Sequence, residues 1–275
     1  MIRMNAFACS LQTGFHRIMC LIAFAIGQNR HFPLVVAANR DEFFRRPTAL
    51  MDWWQTGDGQ RVLAGKDLQS GGTWLAIRED GRVAAVTNVR EGSRESGHQT
   101  RGELPIAALA ETRQTLQPRL DSNRNRYAGF NLVSLDTAES WYYSNRDAHP
   151  GRNLFRGSYG LSNHLLQTPW PKMLRLRSAF TRCVESAGNQ SLHLHNQLLP
   201  LLKDSTPAPD STLPDTGVGL DTERFLSSPF IVGEHYGTRA TTLVSVAADG
   251  EVRVTEQSWS VGGQALEKRE FRWQR

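Results

Sequence analysis

IMCLIAFAIGQNRHFPLVVAANRDE, residues 18–42, holds two apolar runs around a short polar break. Ile18–Gly27 and Phe32–Ala38 each fall well short of the ~18 residues that a membrane-spanning helix needs. Two β-prone runs separated by Gly27-Gln28-Asn29-Arg30 read as a hairpin, with strands at 20–26 and 33–38. The segment before them carries Arg3 and Arg17 and no acid, a pattern that also fits a secretory signal. The second apolar run directly after the turn favours the hairpin. A third reading starts the chain at Met19 and makes residues 1–18 a mis-assigned start or a removable leader. Cys20 is then N-terminal once Met19 is removed.

Downstream, Trp74–Arg78 and Val83–Val89 flank Asp80-Gly81 and read as a second hairpin. A helix is expected over Pro105–Leu116, and strands over Tyr127–Leu135 and Ser140–Tyr143. A longer helix is expected from Thr168 and Pro169 to about Ala187. Its apolar face carries Trp170, Met173, Leu174, Phe180, Cys183, Val184 and Ala187, with Lys172, Arg175 and Arg182 off that face. Another helix follows over about Gln190–Lys203. Residues 205–219, with Pro207, Pro209 and Pro214, read as a mobile loop. Strands at Ala240–Ala247, Val252–Trp259 and Ala265–Trp273 close the chain. Hairpins imply antiparallel sheets, and the intervening helices must cover their outer faces. The expectation is one α+β domain over residues 19–275.

Charge and cysteine content narrow the chemistry. The 275 residues carry 32 Lys and Arg against 27 Asp and Glu, a mild excess of 5 with no basic block suited to nucleic acid. The three cysteines, Cys9, Cys20 and Cys183, leave at least one thiol unpaired and suggest a reducing, cytoplasmic setting. His193 and His195 stand two apart with no third ligand at a recognisable spacing, so neither a metal nor another cofactor is expected. Cys183 reads as a core residue.

Cys20 is a buried strand cysteine on one reading. On the other it is an N-terminal nucleophile, whose α-amine (reference pKa about 8) takes the proton of a thiol with reference pKa about 8.5. Asn39, Arg40, Asp41 and Glu42 follow the second strand. A carboxylate can orient an α-ammonium and a guanidinium can hold an oxyanion. In a straight strand Arg40 and Asp41 point to opposite faces. Asn88 and Asn163 each end an apparent strand, where a side-chain amide either closes an Asx turn or donates to an oxyanion. Arg239, just before an apolar strand, is a further site cation or a solvated charge.

Six motifs in order carry a resemblance: Met19-Cys20, Asn39-Arg40-Asp41-Glu42, Gly71-Gly72-Thr73-Trp74-Leu75, Thr87-Asn88, Tyr159-Gly160-Leu161-Ser162-Asn163, and Tyr236-Gly237-Thr238-Arg239-Ala240-Thr241-Thr242. Together they resemble the NRDE family, also called the TANGO2 or transport and Golgi organisation 2 family. The resemblance implies the four-layer αββα sandwich of the N-terminal-nucleophile hydrolases, with an initial Met-Cys that matches Met19 rather than Met1. Cysteine hydrolases of that fold, such as the choloylglycine and penicillin V acylases, cleave non-peptide C–N amide bonds. Their pattern is an N-terminal Cys, an Arg-Asn-x-Asp, two later Asn residues and a late Arg. Cys20, Asp41, Asn88, Asn163 and Arg239 match it, whereas alignment on Asp41 sets Asn39 on the Asn and Ala38 where the Arg belongs. Arg40, Asn39 and Glu42 are supporting residues on this reading.

Two functions follow as expectations. One is an amidohydrolase acting on a small-molecule amide, with Cys20 attacking, Asp41 fixing its amine, and Asn88 and Asn163 holding the oxyanion. The other is a non-catalytic carrier of haem or another amphipathic ligand, as eukaryotic members of the family are linked to haem handling and to organisation of the secretory pathway. The basic balance and seven Trp suit an acidic amphipathic ligand.

Overall fold

The computed structural model describes residues 19–91 and 98–275. The expected leader, residues 1–18, lies outside them. The opening hairpin pairs β1 (Met19–Ile26) with β2 (Leu34–Phe43), and the chain reverses at Gly27, whose φ of 65° favours glycine. β2 runs five residues past the apolar stretch, because β11 (Tyr236–Val246) pairs along its other side as far as Phe43. Asn39–Glu42 therefore lies inside a central strand.

The first sheet runs in the order β10 (Gly157–Leu161), β1, β2, β11, β12 (Glu251–Trp259), β13 (Ala265–Gln274). The second is a seven-stranded meander of β3 (Thr48–Gln55), β4 (Arg61–Asp67), β5 (Leu75–Arg78), β6 (Val83–Asn88), β7 (Phe130–Leu135), β8 (Ser140–Ser144) and β9 (Gly151–Leu154). The paired strands in both sheets are antiparallel.

Period-two alternation divides most of the apolar residues among three large cores, beside a small fourth cluster of Phe43, Leu226, Ile231 and Tyr236. Cys20, Ile22, Phe24, Val36 and Ala38 meet Leu63, Leu75, Ile77 and Val133 between the sheets. Leu21, Ala23, Val35 and Ala37 face the other way, against α3 (Pro171–Glu185) and α4 (Ser191–Leu202). The outer face of the second sheet packs on α1 (Leu104–Ala110) and α2 (Arg113–Ser122). The layers are thus helix, sheet, sheet, helix, an αββα sandwich.

Several local expectations change. The single helix over Pro105–Leu116 is two, α1 and α2, broken where Glu111 and Thr112 turn extended. Leu109, Leu116 and Leu120 all reach the same core, so their apolar pattern spans the break. The long helix starts at Pro171, not Pro169. Trp170 precedes a proline and is held extended (φ −66°, ψ 142°). Lys172, placed off the apolar face from the sequence, is buried, and Leu174 is exposed. The stripe that faces β1 is Lys172, Leu176, Phe180 and Val184, each four residues apart. Cys183 is half-buried at the margin of this core. Residues 205–219 are tied down. Arg224 grips Asp210 with two nitrogens (2.8 and 2.6 Å), and Ala208 N donates to Ser227 Oγ (2.9 Å).

Gly160 on β10 sets how closely α3 approaches, because a Cβ there would overlap Met173 Sδ. Gly160→Val is expected to cost about 1–3 kcal/mol by overpacking. A thermal melt checks this, and an unchanged midpoint would mean that the helix can retreat freely.

Candidate active site

The start of β1, the end of β2, the end of β6, the segment after β10 and the start of β11 converge at one end of the sandwich. Register places Met19 opposite Asp41 and Cys20 opposite Arg40. Cross-strand partners share a face. Cys20 and Arg40 accordingly belong to the face between the sheets, while Asn39 and Asp41 belong to the helix side, as expected for a straight strand.

Cys20 is fully buried, and Ser162 Oγ donates to its carbonyl at 3.4 Å. Burial pushes its thiol well above the ordinary range. The Asp41 and Glu42 charges push the same way, and the Arg40 charge and an Asp41 backbone hydrogen bond push back. With Met19 still attached, desolvation keeps Cys20 a protonated thiol; the depressed pKa of a primed nucleophile is expected only of a chain that begins at Cys20.

Asp41 is also fully buried. Its Oδ1 accepts from Thr238 Oγ1 at 2.6 Å, whereas Oδ2 has no hydrogen-bond donor. Burial pushes the carboxyl up to about 6 against the pull of Lys172, Thr238, Arg40 and Arg90. Asn39 spends its side chain on structure. Nδ2 donates to Leu202 O (2.8 Å) and Pro229 O (2.9 Å), and Oδ1 accepts from Thr241 Oγ1 (2.6 Å). Glu42 is buried, accepts from Phe43 N (2.8 Å), and lies 3.5 Å from both Arg40 Nη2 and Arg46 Nε.

A cavity of about 580 Å³ opens beside these residues. Arg40, Asn88 and Arg239 line it, with Trp74, Trp259 and Glu256. Cys20, Asp41 and Asn163 are buried and do not line it. Arg239 occupies a β-bulge between Thr238 and Ala240, and its Nη1 donates to Phe43 O (3.2 Å) and Arg46 O (2.5 Å). The bulge turns a side chain toward the cavity that a regular strand would not. Asn163 Nδ2 donates to Asn88 O at 3.2 Å, coupling the two asparagines through the backbone of one of them.

Three charged residues at this end carried no sequence expectation of a site role. Arg90 and Glu223, both buried, pair at 2.5 Å, and Arg90 N donates to Asn163 O at 2.6 Å. The Arg90 guanidinium also lies 4.7 Å from the Trp170 ring. Lys172 Nζ donates to Leu226 O at 2.8 Å. The four-residue stripe through Leu176, Phe180 and Val184 is the signal that points to Lys172. Arg90 and Glu223 are 133 positions apart, and no local pattern joins them.

A model of the family described as Transport and Golgi organisation 2 matches residues 19–261. The mouse Transport and Golgi organization 2 homolog is 34% identical over 280 residues, covering 93% of this chain and 96% of the mouse protein. The human homolog is 34% identical over 259 residues, covering 87% and 93%. Among solved structures, a mutant conjugated bile acid hydrolase from Clostridium perfringens superimposes with a TM-score of 0.45 at 9% identity, covering 93% of this chain and 97% of that one.

Proposed function

The chain belongs to the Transport and Golgi organisation 2 family, and on that premise we propose that it is an N-terminal-cysteine amidohydrolase acting on a non-peptide C–N amide bond. The observation that carries this reading is Asp41: a fully buried carboxylate beside the Met19–Cys20 peptide bond, with Oδ2 lacking a donor. A buried anion without a full set of donors is costly. Removal of everything before Cys20 would place an α-ammonium next to that oxygen, supplying both the donor and the counter-charge.

In this reaction the Cys20 α-amine takes the thiol proton, and the sulfur attacks the amide carbonyl. The resulting oxyanion is held by the amides of Asn88 and Asn163, with Arg40 and Arg239 supplying positive potential from the cavity wall. Collapse breaks the C–N bond, and the α-ammonium gives its proton to the departing amine. Water then hydrolyses the thioester, releasing the acid and restoring the thiol. Intact-mass analysis of the working protein tests the premise of this mechanism. A chain beginning at Cys20 is expected, and full activity in a chain that retains Met19 would overturn it.

A second reading, a carrier of haem or another amphipathic acid, is favoured by the cavity itself. Trp74 and Trp259 stand in its wall with Arg40, Arg46 and Arg239. Titration with haem, followed at the Soret band, separates the two. Saturable binding that Cys20→Ser leaves unchanged, with no amide hydrolysis, would put the carrier first.

A further inference from the structure

Arg40, Arg46 and Arg239 form one linked group in the cavity wall, and their charge is not fully matched. Arg40 is 4% exposed and lines the cavity, yet its guanidinium has no hydrogen-bond acceptor among the described residues. Its ion-pair partner is Glu42, at 3.5 Å. Arg46 shares Glu42 at the same distance and also holds Asp67 at 2.7 Å. Arg239 spends its Nη1 on the carbonyls of Phe43 and Arg46 and on Thr48 Oγ1 (3.4 Å), and no carboxylate among the described residues pairs with it. Three cations thus face two anions. The other carboxylates of the wall are engaged elsewhere: Glu91 pairs with Arg146, and Glu256 Oε1 accepts from Met51 N at 2.9 Å. Burial and the Arg40 charge hold Arg239 below its ordinary range, as expected of like charges with no anion between them. A desolvated guanidinium without acceptors is costly, and its planar fork fits a carboxylate.

Register places this group beside the candidate nucleophile. Arg40 stands opposite Cys20 on the face between the sheets, and Ala240 and Ser258 continue the row across β11 and β12. Cross-strand neighbours carry their Cβ atoms about 5 Å apart, so an anion on Arg40 sits a few bonds from a carbonyl under attack at Cys20. Leu50 on β3 and Leu266 on β13 line the same cavity at 36% and 60% exposure, giving it an apolar surface where it meets solvent. Resting on the nucleophile reading above, we infer that Arg40 and Arg239 form a carboxylate subsite, and that the amide cleaved at Cys20 carries a carboxylate on one half and an apolar chain on the other. The carboxylate seats on the two guanidiniums, and the chain runs out past Leu50 and Leu266. Water adds across the C–N bond to give an acid and an amine, one of which keeps the bound carboxylate.

The test uses two acids, N-decanoylglycine with its carboxylate on the amine half and N-decylsuccinamic acid with it on the acyl half. Their neutral counterparts are N-decanoylglycinamide and N-decylsuccinamide. Calorimetric binding to the full chain carrying Cys20→Ser is measured first, because it needs no turnover. At least one acid is expected to bind about tenfold to hundredfold more tightly than its neutral counterpart. Arg40→Met and Arg239→Met are each expected to cut that preference by about fivefold or more, and Arg40→Lys to keep part of it. Equal affinities for acid and neutral amide overturn the subsite, as does a preference that both methionine variants retain. Should Arg40→Met not fold, Arg239→Met, at a half-buried position, decides. With Cys20 intact, the acid that is cleaved faster than its neutral counterpart identifies the half that bears the carboxylate. Loss of positive potential slows acid and neutral amide alike, so the ratio of the two rates reads the subsite. A binding preference without cleavage of any of the four amides would keep the subsite and remove the nucleophile reading.

Discussion

In a chain that begins at Cys20, Cys20→Ser is expected to lower the release of amine from an N-acyl test amide by on the order of 10³-fold or more, leaving what binding and oxyanion donors achieve alone. The swap is nearly isosteric, and Cys20 sits where a hydroxyl can be accommodated. Its neighbours Arg40 and Ser162 are polar, and it terminates the apolar row of Ile22 and Phe24. Stability should consequently change little, and a melt run beside the assay distinguishes loss of chemistry from loss of fold. The serine keeps the α-amine and Asp41 but substitutes a far weaker nucleophile at neutral pH. Undiminished turnover would remove Cys20 from the mechanism.

Arg90→Met is expected to destabilise the fold by about 3–5 kcal/mol, the cost of leaving a buried ion without its partner. Glu223 is 3% exposed, and after the substitution it would keep only its Thr216 donors. The same change removes the guanidinium beside Trp170. Arg90→Met combined with Glu223→Gln should recover a large part of the loss, since the second substitution removes the stranded charge. Chemical denaturation of the four chains in the cycle measures this. A single-variant loss below about 1 kcal/mol would mean that the pair is solvated rather than buried.

What was legible in the sequence follows from how local each signal is. The opening hairpin announces itself through two apolar runs around a turn, and antiparallel sheets with helices on their outer faces follow from hairpins interrupted by amphipathic helices, whereas the four-layer αββα order came with the family resemblance. β3 left no such trace, because Thr48–Gln55 buries only Met51 fully and lies at the sheet edge. The break between α1 and α2 is hidden because apolar residues on both sides reach one core. Of the candidate site, Cys20, Asp41, Asn88, Asn163 and Arg239 are each ambiguous alone and are picked out only by the six motifs taken together in order. Their division between cavity wall and buried layer depends on strand register and on a bulge that no spacing reveals. Arg90, Lys172 and Glu223 meet only through tertiary contact. Lys172 alone had a periodic signature, and reading it required accepting a charge on a buried stripe.

The most direct test of the account compares Cys20 alkylation at pH 7 in two chains, one beginning at Cys20 and one retaining the residues before it. The same thiol has two environments. With Met19 attached, burial holds it protonated. With a free α-amine beside Asp41, a proton acceptor sits on the same residue. Cys20 is expected to react with iodoacetamide about tenfold or more ahead of Cys183 in the chain that begins at Cys20, and to lose that lead in the longer chain. Equal labelling of the two thiols in the chain that begins at Cys20 would contradict the assignment of Cys20 as the nucleophile.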